Sequence, residues 1–178
     1  MGPAGSGKST IGRAIADAIG AAFVDGDDYH TQENIEKMRT GSPLTDADRE
    51  PWLEALSTVI GSAHTSGGSV VLACSALRRR YRDTLRACVP PGHMFVVELR
   101  ASERTLRRRL ERRAHFMPSS LLRSQMETLE PLAQDEPGVR IDADMDPSDV
   151  TGRALDAISG HALLCRGRGS NWSRGVQS

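Results

Sequence analysis

Gly2-Pro3-Ala4-Gly5-Ser6-Gly7-Lys8-Ser9-Thr10 has the spacing G-x-x-x-x-G-K-[ST] of a phosphate-binding loop. Glycines in such a loop let successive backbone N–H groups curve around phosphate oxygens at a helix N-terminus, where the helix dipole adds roughly half a positive charge. Lys8 is read as the cation that reaches the β- and γ-phosphates, Ser9 as a hydroxyl ligand for Mg²⁺, and Thr10 as a donor to a neighbouring phosphate. The motif requires a helix directly after it, and the sequence supplies one. Ile11, Ala14, Ile15, Ala18 and Ile19 share one face of residues 8–19, and Gly20 stops the period.

Outward from this loop the chain alternates strand and helix without internal repeats. Residues 21–24 read as a short buried strand that ends in Asp25-Gly26-Asp27-Asp28. Residues 69–74 and 94–99 are apolar enough to be strands covered on both faces, and 139–142 is a weaker one. A polar helix is expected over 32–39. Thr45 caps the next, which carries Trp52, Leu56, Val59, Ile60 and Ala63; Pro51 is expected to kink it or to begin a second helix. Ser102 caps a helix bearing Leu106 and Leu110, and Asp146-Pro147 starts the last.

Strands alternating with helices give right-handed βαβ units. The expected fold class is therefore α/β, a P-loop NTPase-type three-layer fold with a parallel sheet flanked by helices. A phosphate loop should follow a buried strand, yet only Met1 precedes Gly2, so the first central strand is expected to be truncated and Met1 to be internal to a longer natural chain. Each of about five apolar residues in such a strand would contribute roughly 1.5–3 kcal/mol, comparable in sum to a domain's net stability of about 5–15 kcal/mol. Residues 1–160 are expected to form one kinase domain with a lid over about 108–128. Residues 161–178, rich in Gly, Arg and Ser, are expected to be a disordered tail.

The 178 residues suit one domain, and 38% hydrophobic with 26% charged residues is ordinary for a globular chain. Formal net charge is zero, so no global field argues for nucleic acid or an acidic membrane surface, and anion binding must come from local clusters. Arginine supplies 21 of the 23 basic residues, as codon usage in a GC-rich genome would produce, leaving Lys8 and Lys37 as the lysines. Retention of lysine at position 8 agrees with its phosphate role. Cys74, Cys88 and Cys165 lack metal-ligand spacing and fit a reducing cytosol, and no apolar run is long enough to span a bilayer, so a cytoplasmic protein is expected.

Asp25-Gly26-Asp27-Asp28-Tyr29-His30 falls at the C-terminal end of a strand, where open α/β sheets place ligands. Asp and Gly clusters also make ordinary turns. Placed after a phosphate loop, the two carboxylates acquire complementary roles. Asp25 orients Mg²⁺-bound water, and Asp27 accepts the proton of a substrate hydroxyl. His30 either binds substrate or caps the next helix.

This block, with Asn34-Ile35-Glu36-Lys37-Met38, Gly41-Ser42-Pro43-Leu44-Thr45-Asp46 and Pro51-Trp52-Leu53, resembles the gluconokinase family of P-loop kinases. Ala73-Cys74-Ser75-Ala76-Leu77-Arg78, Tyr81-Arg82-Asp83, His115-Phe116-Met117-Pro118 and Gln125-Met126-Glu127-Thr128-Leu129-Glu130 follow in the family's order. The resemblance spans Gly2 to about Asp144. It implies transfer of the γ-phosphate of ATP to the 6-hydroxyl of D-gluconate, with Mg²⁺ as cofactor, gluconate as small-molecule partner and a homodimer as the assembly; neither nucleic acid nor membrane is an expected partner. A substrate carboxylate needs a cation, and Arg49, Arg78 and Arg82 are the candidates for a bidentate clamp, with Ser75 and His115 also placed at the substrate.

Seven arginines lie between Arg100 and Arg113, and Arg104, Arg108 and Arg112 share a helical face. A solvated face, a nucleic-acid patch and a lid over ATP are the competing readings; the patch lacks aromatic interleaving. A mixture is expected, with Arg109 toward adenine, Arg112 or Arg113 toward phosphate, and the remainder solvated. The family's Arg-x-Gly-His-Phe reads Arg112-Arg113-Ala114-His115-Phe116 here, one glycine fewer at the lid hinge. Two other activities fit parts of the pattern: a kinase for shikimate or another small hydroxy acid, and a nucleotide-binding protein impaired in catalysis by its short first strand.

Overall fold

A computed structural model describes residues 1–112 and 119–166 of the chain. Helix α1 (Lys8–Ile19) closes on Gly20, whose φ of 66° is the left-handed conformation that favours a residue without Cβ. Strand β1 (Ala22–Asp25) runs into a 3₁₀ turn over Gly26–Tyr29. Thr31 then caps α2 (Gln32–Arg39) by accepting from the Asn34 N–H.

Helix α3 (Asp46–Thr65) opens with a capping box, Thr45 and Asp48 each accepting the other's backbone N–H. The helix continues through Pro51, so no second helix begins there. The capping box secures the turn before the proline, and Trp52, Leu53 and Leu56 just after it are buried, which outweighs one missing N–H.

Strand β2 (Val70–Ala73) leads to α4 (Arg79–Arg86), and β3 (Val96–Arg100) to α5 (Glu103–Glu111), capped by Ser102. Helix α6 (Ser119–Thr128), strand β4 (Gly138–Asp142) and α7 (Pro147–Arg166) complete the described chain. Helix α7 continues past residue 160, where the composition predicts the start of a structureless tail. Tertiary anchorage overrides the local glycine: the His161 ring packs on Phe95 at 4.8 Å between centroids and bonds the Gly92 carbonyl at 2.9 Å.

The strands pair in parallel on two sides of the Met1–Gly2 segment. On one side β1 pairs with β2, Ala22 opposite Val70 through Asp25 opposite Ala73. On the other β3 pairs with β4, Val96 opposite Gly138 through Arg100 opposite Asp142. Met1 and Gly2 stand in the place of the strand that precedes a phosphate loop. The Leu99 N–H donates to the Met1 carbonyl at 2.9 Å, and the Gly2 N–H donates to the Ser75 carbonyl at 3.2 Å.

Two apolar layers flank this sheet. Ile11 and Ile15 of α1 meet Val150 and Ala154 of α7 over Leu99 and Ile141 on one face. Trp52, Leu53 and Leu56 of α3 meet Tyr81 and Leu85 of α4 over Cys74 on the other. A smaller cluster, Leu106, Leu110 and Leu122, joins α5 to α6 and packs against Ala4 of the phosphate loop.

The segment between α6 and β4 is tied down by a buried ion pair. Arg82 Nε and Nη2 donate to the two carboxylate oxygens of Glu136, both at 2.7 Å, with both side chains essentially inaccessible. Arg82 Nη1 also reaches the carbonyls of Ala76 (3.2 Å) and Glu130 (3.1 Å), and Arg86 adds a second cation to Glu136 at 3.1 Å. Burial alone would raise the Glu136 pKa; the Arg82 and Arg86 bonds and the Ala133 N–H overcome that and hold it at about 2.

The folded state thus binds fewer protons than the unfolded between the ordinary value of 4.5 and about 2. Stability from this group is full above the upper value and is lost as pH falls through that window. Glu136→Gln should destabilise the protein by about 3–5 kcal/mol at neutral pH, because Arg82 keeps a buried charge without a counter-ion. Denaturant melts of both proteins at pH 7 and at stepped acid pH should show the gap narrowing toward the acid end.

Candidate active site

The phosphate loop leaves the sheet at Gly2, whose φ is 145°. A Cβ there would stand 2.7 Å from the Leu99 carbonyl oxygen and 2.8 Å from Ser6 Oγ, so a side chain at Gly2 and the tight path of the loop exclude one another. Gly5 and Gly7 also take positive φ, 81° and 99°. Ser6 is buried, and its Oγ has no partner among the described residues. Pro3 is buried and Ala4 half-buried, while Thr10 is exposed.

Across the loop Lys8 Nζ donates to the Pro3 carbonyl at 3.0 Å. One residue on, Ser9 Oγ donates to Asp25 Oδ2 at 2.7 Å. The other Asp25 oxygen accepts the Asp27 N–H at 3.3 Å. Asp25 therefore joins α1 to the 3₁₀ turn after β1, and Asp27 lies exposed in that turn. The Ser9 hydroxyl and the Asp25 carboxylate are hard oxygen donors at the phosphate side, a set that suits Mg²⁺ retaining several waters.

His30 follows, stacked on Trp52 with centroids 4.5 Å apart and planes 10° from parallel. Trp52 is held by its indole N–H, which donates to the Gly26 carbonyl at 2.7 Å. Burial is the main cause that lowers the His30 pKa; Arg49 pushes the same way and Asp27 opposes. His30 Nδ1 is buried without a partner among the described residues. Thr31 occupies the cap of α2, so of the two roles open to His30 the capping one is taken by its neighbour.

Arg49 is half-buried, with Nη1 on the carbonyls of Leu44 (2.6 Å) and Thr45 (3.2 Å), and lies 5.6 Å from the centroid of the Tyr81 ring. The Tyr81 hydroxyl donates to Asp46, whose pKa is lowered first by that bond and then by Arg80. Arg78 Nη1 lies 3.5 Å from Asp46 Oδ2, and the Ser75 backbone holds Gly2. Asp27, His30, Arg49, Tyr81, Asp46 and Arg78 thus form one linked polar wall.

Arg82 does not join it. As a member of the substrate clamp it was misassigned: its guanidinium is inaccessible and fully engaged by Glu136 and two carbonyls. The physical cause is a carboxylate 54 residues away, which a reading of adjacent residues does not weigh.

Arg109 lies beside the phosphate loop, its Nη1 3.4 Å from the Gly5 carbonyl and its Nη2 2.7 Å from that of Ala143. Arg104, Arg108 and Arg112 are exposed, and Arg107 pairs with Glu103 at 2.6 Å. Arg112 ends α5 at its C-cap. Arg113 and His115 lie outside the described residues.

Three contributors had no role assigned from sequence. Trp52 supports His30, Glu130 Oε2 accepts the Arg79 N–H at 2.7 Å at the start of α4, and Gln125 Oε1 accepts the Ala4 N–H at 2.7 Å. Two of them, Gln125 and Glu130, stand in one six-residue block of the resemblance; that block was the available signal, without the chemistry to interpret it.

The family described as an AAA domain matches residues 1–132. The thermosensitive gluconokinase of Escherichia coli strain K12 is 43% identical over 160 residues, covering 89% of this chain and 84% of that protein. The gluconokinase of Gluconobacter oxydans strain 621H is 44% identical over 151 residues, covering 84% of each. Among solved structures, a gluconokinase from Sinorhizobium meliloti 1021 superimposes with a TM-score of 0.86 at 43% identity, covering 96% of this chain and 95% of its own. With the phosphate loop, the Asp25–Asp27 turn and the polar wall all present, the chain belongs to the gluconokinase family of P-loop kinases.

Proposed function

We propose that the protein transfers the γ-phosphoryl group of ATP to the 6-hydroxyl of D-gluconate, giving 6-phosphogluconate and ADP. The observation that carries this reading is the Ser9–Asp25–Asp27 link. It joins Ser9 of the phosphate loop, through the Asp25 carboxylate, to the backbone of Asp27, and this supports Asp27 as the group that meets the acceptor hydroxyl.

In the transfer, the substrate oxygen forms a bond to the γ-phosphorus as the bond to the β-phosphate bridging oxygen breaks. Asp27 accepts the hydroxyl proton. Lys8 and the loop N–H groups stabilise charge on the phosphoryl oxygens, and the protein's contribution is positioning and electrostatics rather than covalent chemistry. Ser9 would hold Mg²⁺, with Asp25 orienting a metal-bound water, and the ion would supply positive charge to offset that of the phosphates.

Arg49 and Arg78 bind the gluconate carboxylate. His30, kept neutral by burial, offers a ring nitrogen to a substrate hydroxyl. Arg109 packs toward adenine, and Arg112 supplies positive charge toward the transferring phosphate.

Mg·ATP consumption followed in a coupled ADP assay should be high with gluconate and at background with shikimate, AMP or no acceptor. Turnover with shikimate in place of gluconate would replace the substrate assignment. Asp27→Asn should lower kcat by about 10²–10⁴-fold with KM for ATP little changed. Arg49→Ala should raise KM for gluconate by about 10–100-fold, the worth of a hydrogen bond to a charged group, and leave KM for ATP alone.

A further inference from the structure

The peptide group between Pro3 and Ala4 is held at both ends. Its carbonyl accepts from Lys8 Nζ at 3.0 Å and from the Ser6 N–H at 3.2 Å. Its N–H donates to Gln125 Oε1 at 2.7 Å, across 121 residues of sequence. A peptide group is planar and rotates as a unit, so whatever fixes the N–H also fixes the direction of the carbonyl. Gln125 sits on α6, whose Leu122 and Met126 join the α5 leucines in the cluster that packs against Ala4. Its amide orientation is set by this contact, since an N–H donor requires the oxygen to face it.

We propose that Gln125 is a positioning residue for Lys8, acting through the Pro3–Ala4 peptide. Without the Gln125 acceptor, the half-buried Ala4 N–H turns toward water, and the carbonyl that holds the Lys8 ammonium turns with it. The lysine then loses the support that aims it across the loop. Arg109, on α5, lies 3.4 Å from the Gly5 carbonyl, two residues on from that of Pro3, and contributes to the same restraint. This inference rests on the reading of Lys8 as the phosphate-binding lysine and is independent of the acceptor substrate.

The test is Mg·ATP affinity, measured calorimetrically without gluconate, for the wild type, Gln125→Met, Lys8→Ala and the double variant. Methionine keeps the length and apolar packing of glutamine and lacks the carbonyl acceptor. Gln125→Met should weaken ATP binding by about 3–10-fold, as expected for one hydrogen bond left unmade. In the Lys8→Ala background the same change should have less than about a twofold effect, because its target is gone. Unchanged affinity in Gln125→Met, tighter binding, or effects that multiply in the double variant would each overturn the proposal. Thermal midpoints of the single variants separate these outcomes from a loss of folding. A wild type that binds Mg·ATP but phosphorylates no gluconate would fault the substrate assignment and leave this inference standing.

Discussion

The crossing at Gly2 is the constraint on which the site depends. The chain passes between β2 and β3, bonded to both sides, and must then turn at once into a loop of inward-facing N–H groups. A backbone φ of 145° and an approach too close for any Cβ make that turn possible. From this fixed point α1 departs with Lys8 and Ser9 at its first two positions. Asp25 is brought up by β1, which pairs with β2 in a register ending at Asp25 opposite Ala73. A slip in that register would part Asp25 from Ser9.

Arginine serves three different physical ends in this lysine-poor chain. Arg82 is a structural cation, desolvated and fully hydrogen-bonded, of the kind that is costly to disrupt and gives no access to ligands. Arg49 and Arg78 stand half-buried, Arg49 on two backbone carbonyls and Arg78 beside Asp46, each with part of its surface open. Arg104, Arg107 and Arg108 lie on or near the surface of α5, where pairing is screened and contributes little. Burial and the identity of the nearest carboxylate separate these roles; the side chain is the same in all of them.

The polar wall is built from short-range rules and long-range support together. The turn after β1 is local, Asp25 accepting from Asp27 two residues on. Its shape is held from outside by Trp52, whose indole binds the Gly26 carbonyl and whose face supports His30. Likewise the N-terminus of α4, where Arg78 provides no side-chain cap, takes the Glu130 carboxylate from across the fold.

Elements and phosphate chemistry are legible in the chain before it folds. Residues 8–19 are a helix because their apolar period and Gly20 leave no other local solution, and Thr45 and Ser102 cap because their hydroxyls meet N–H groups three residues on. The glycine spacing marks the phosphate loop for the same reason: local geometry is encoded locally. Which charges remain available to a ligand is settled only by folding. Arg82 and Glu136 find each other over 54 residues, Gln125 and Ala4 over 121, and His161 extends α7 through a contact with the Gly92 carbonyl. Such pairs carry no period or motif in the chain. They arise only when packing excludes water and each buried polar group must take the partner that the fold brings within reach.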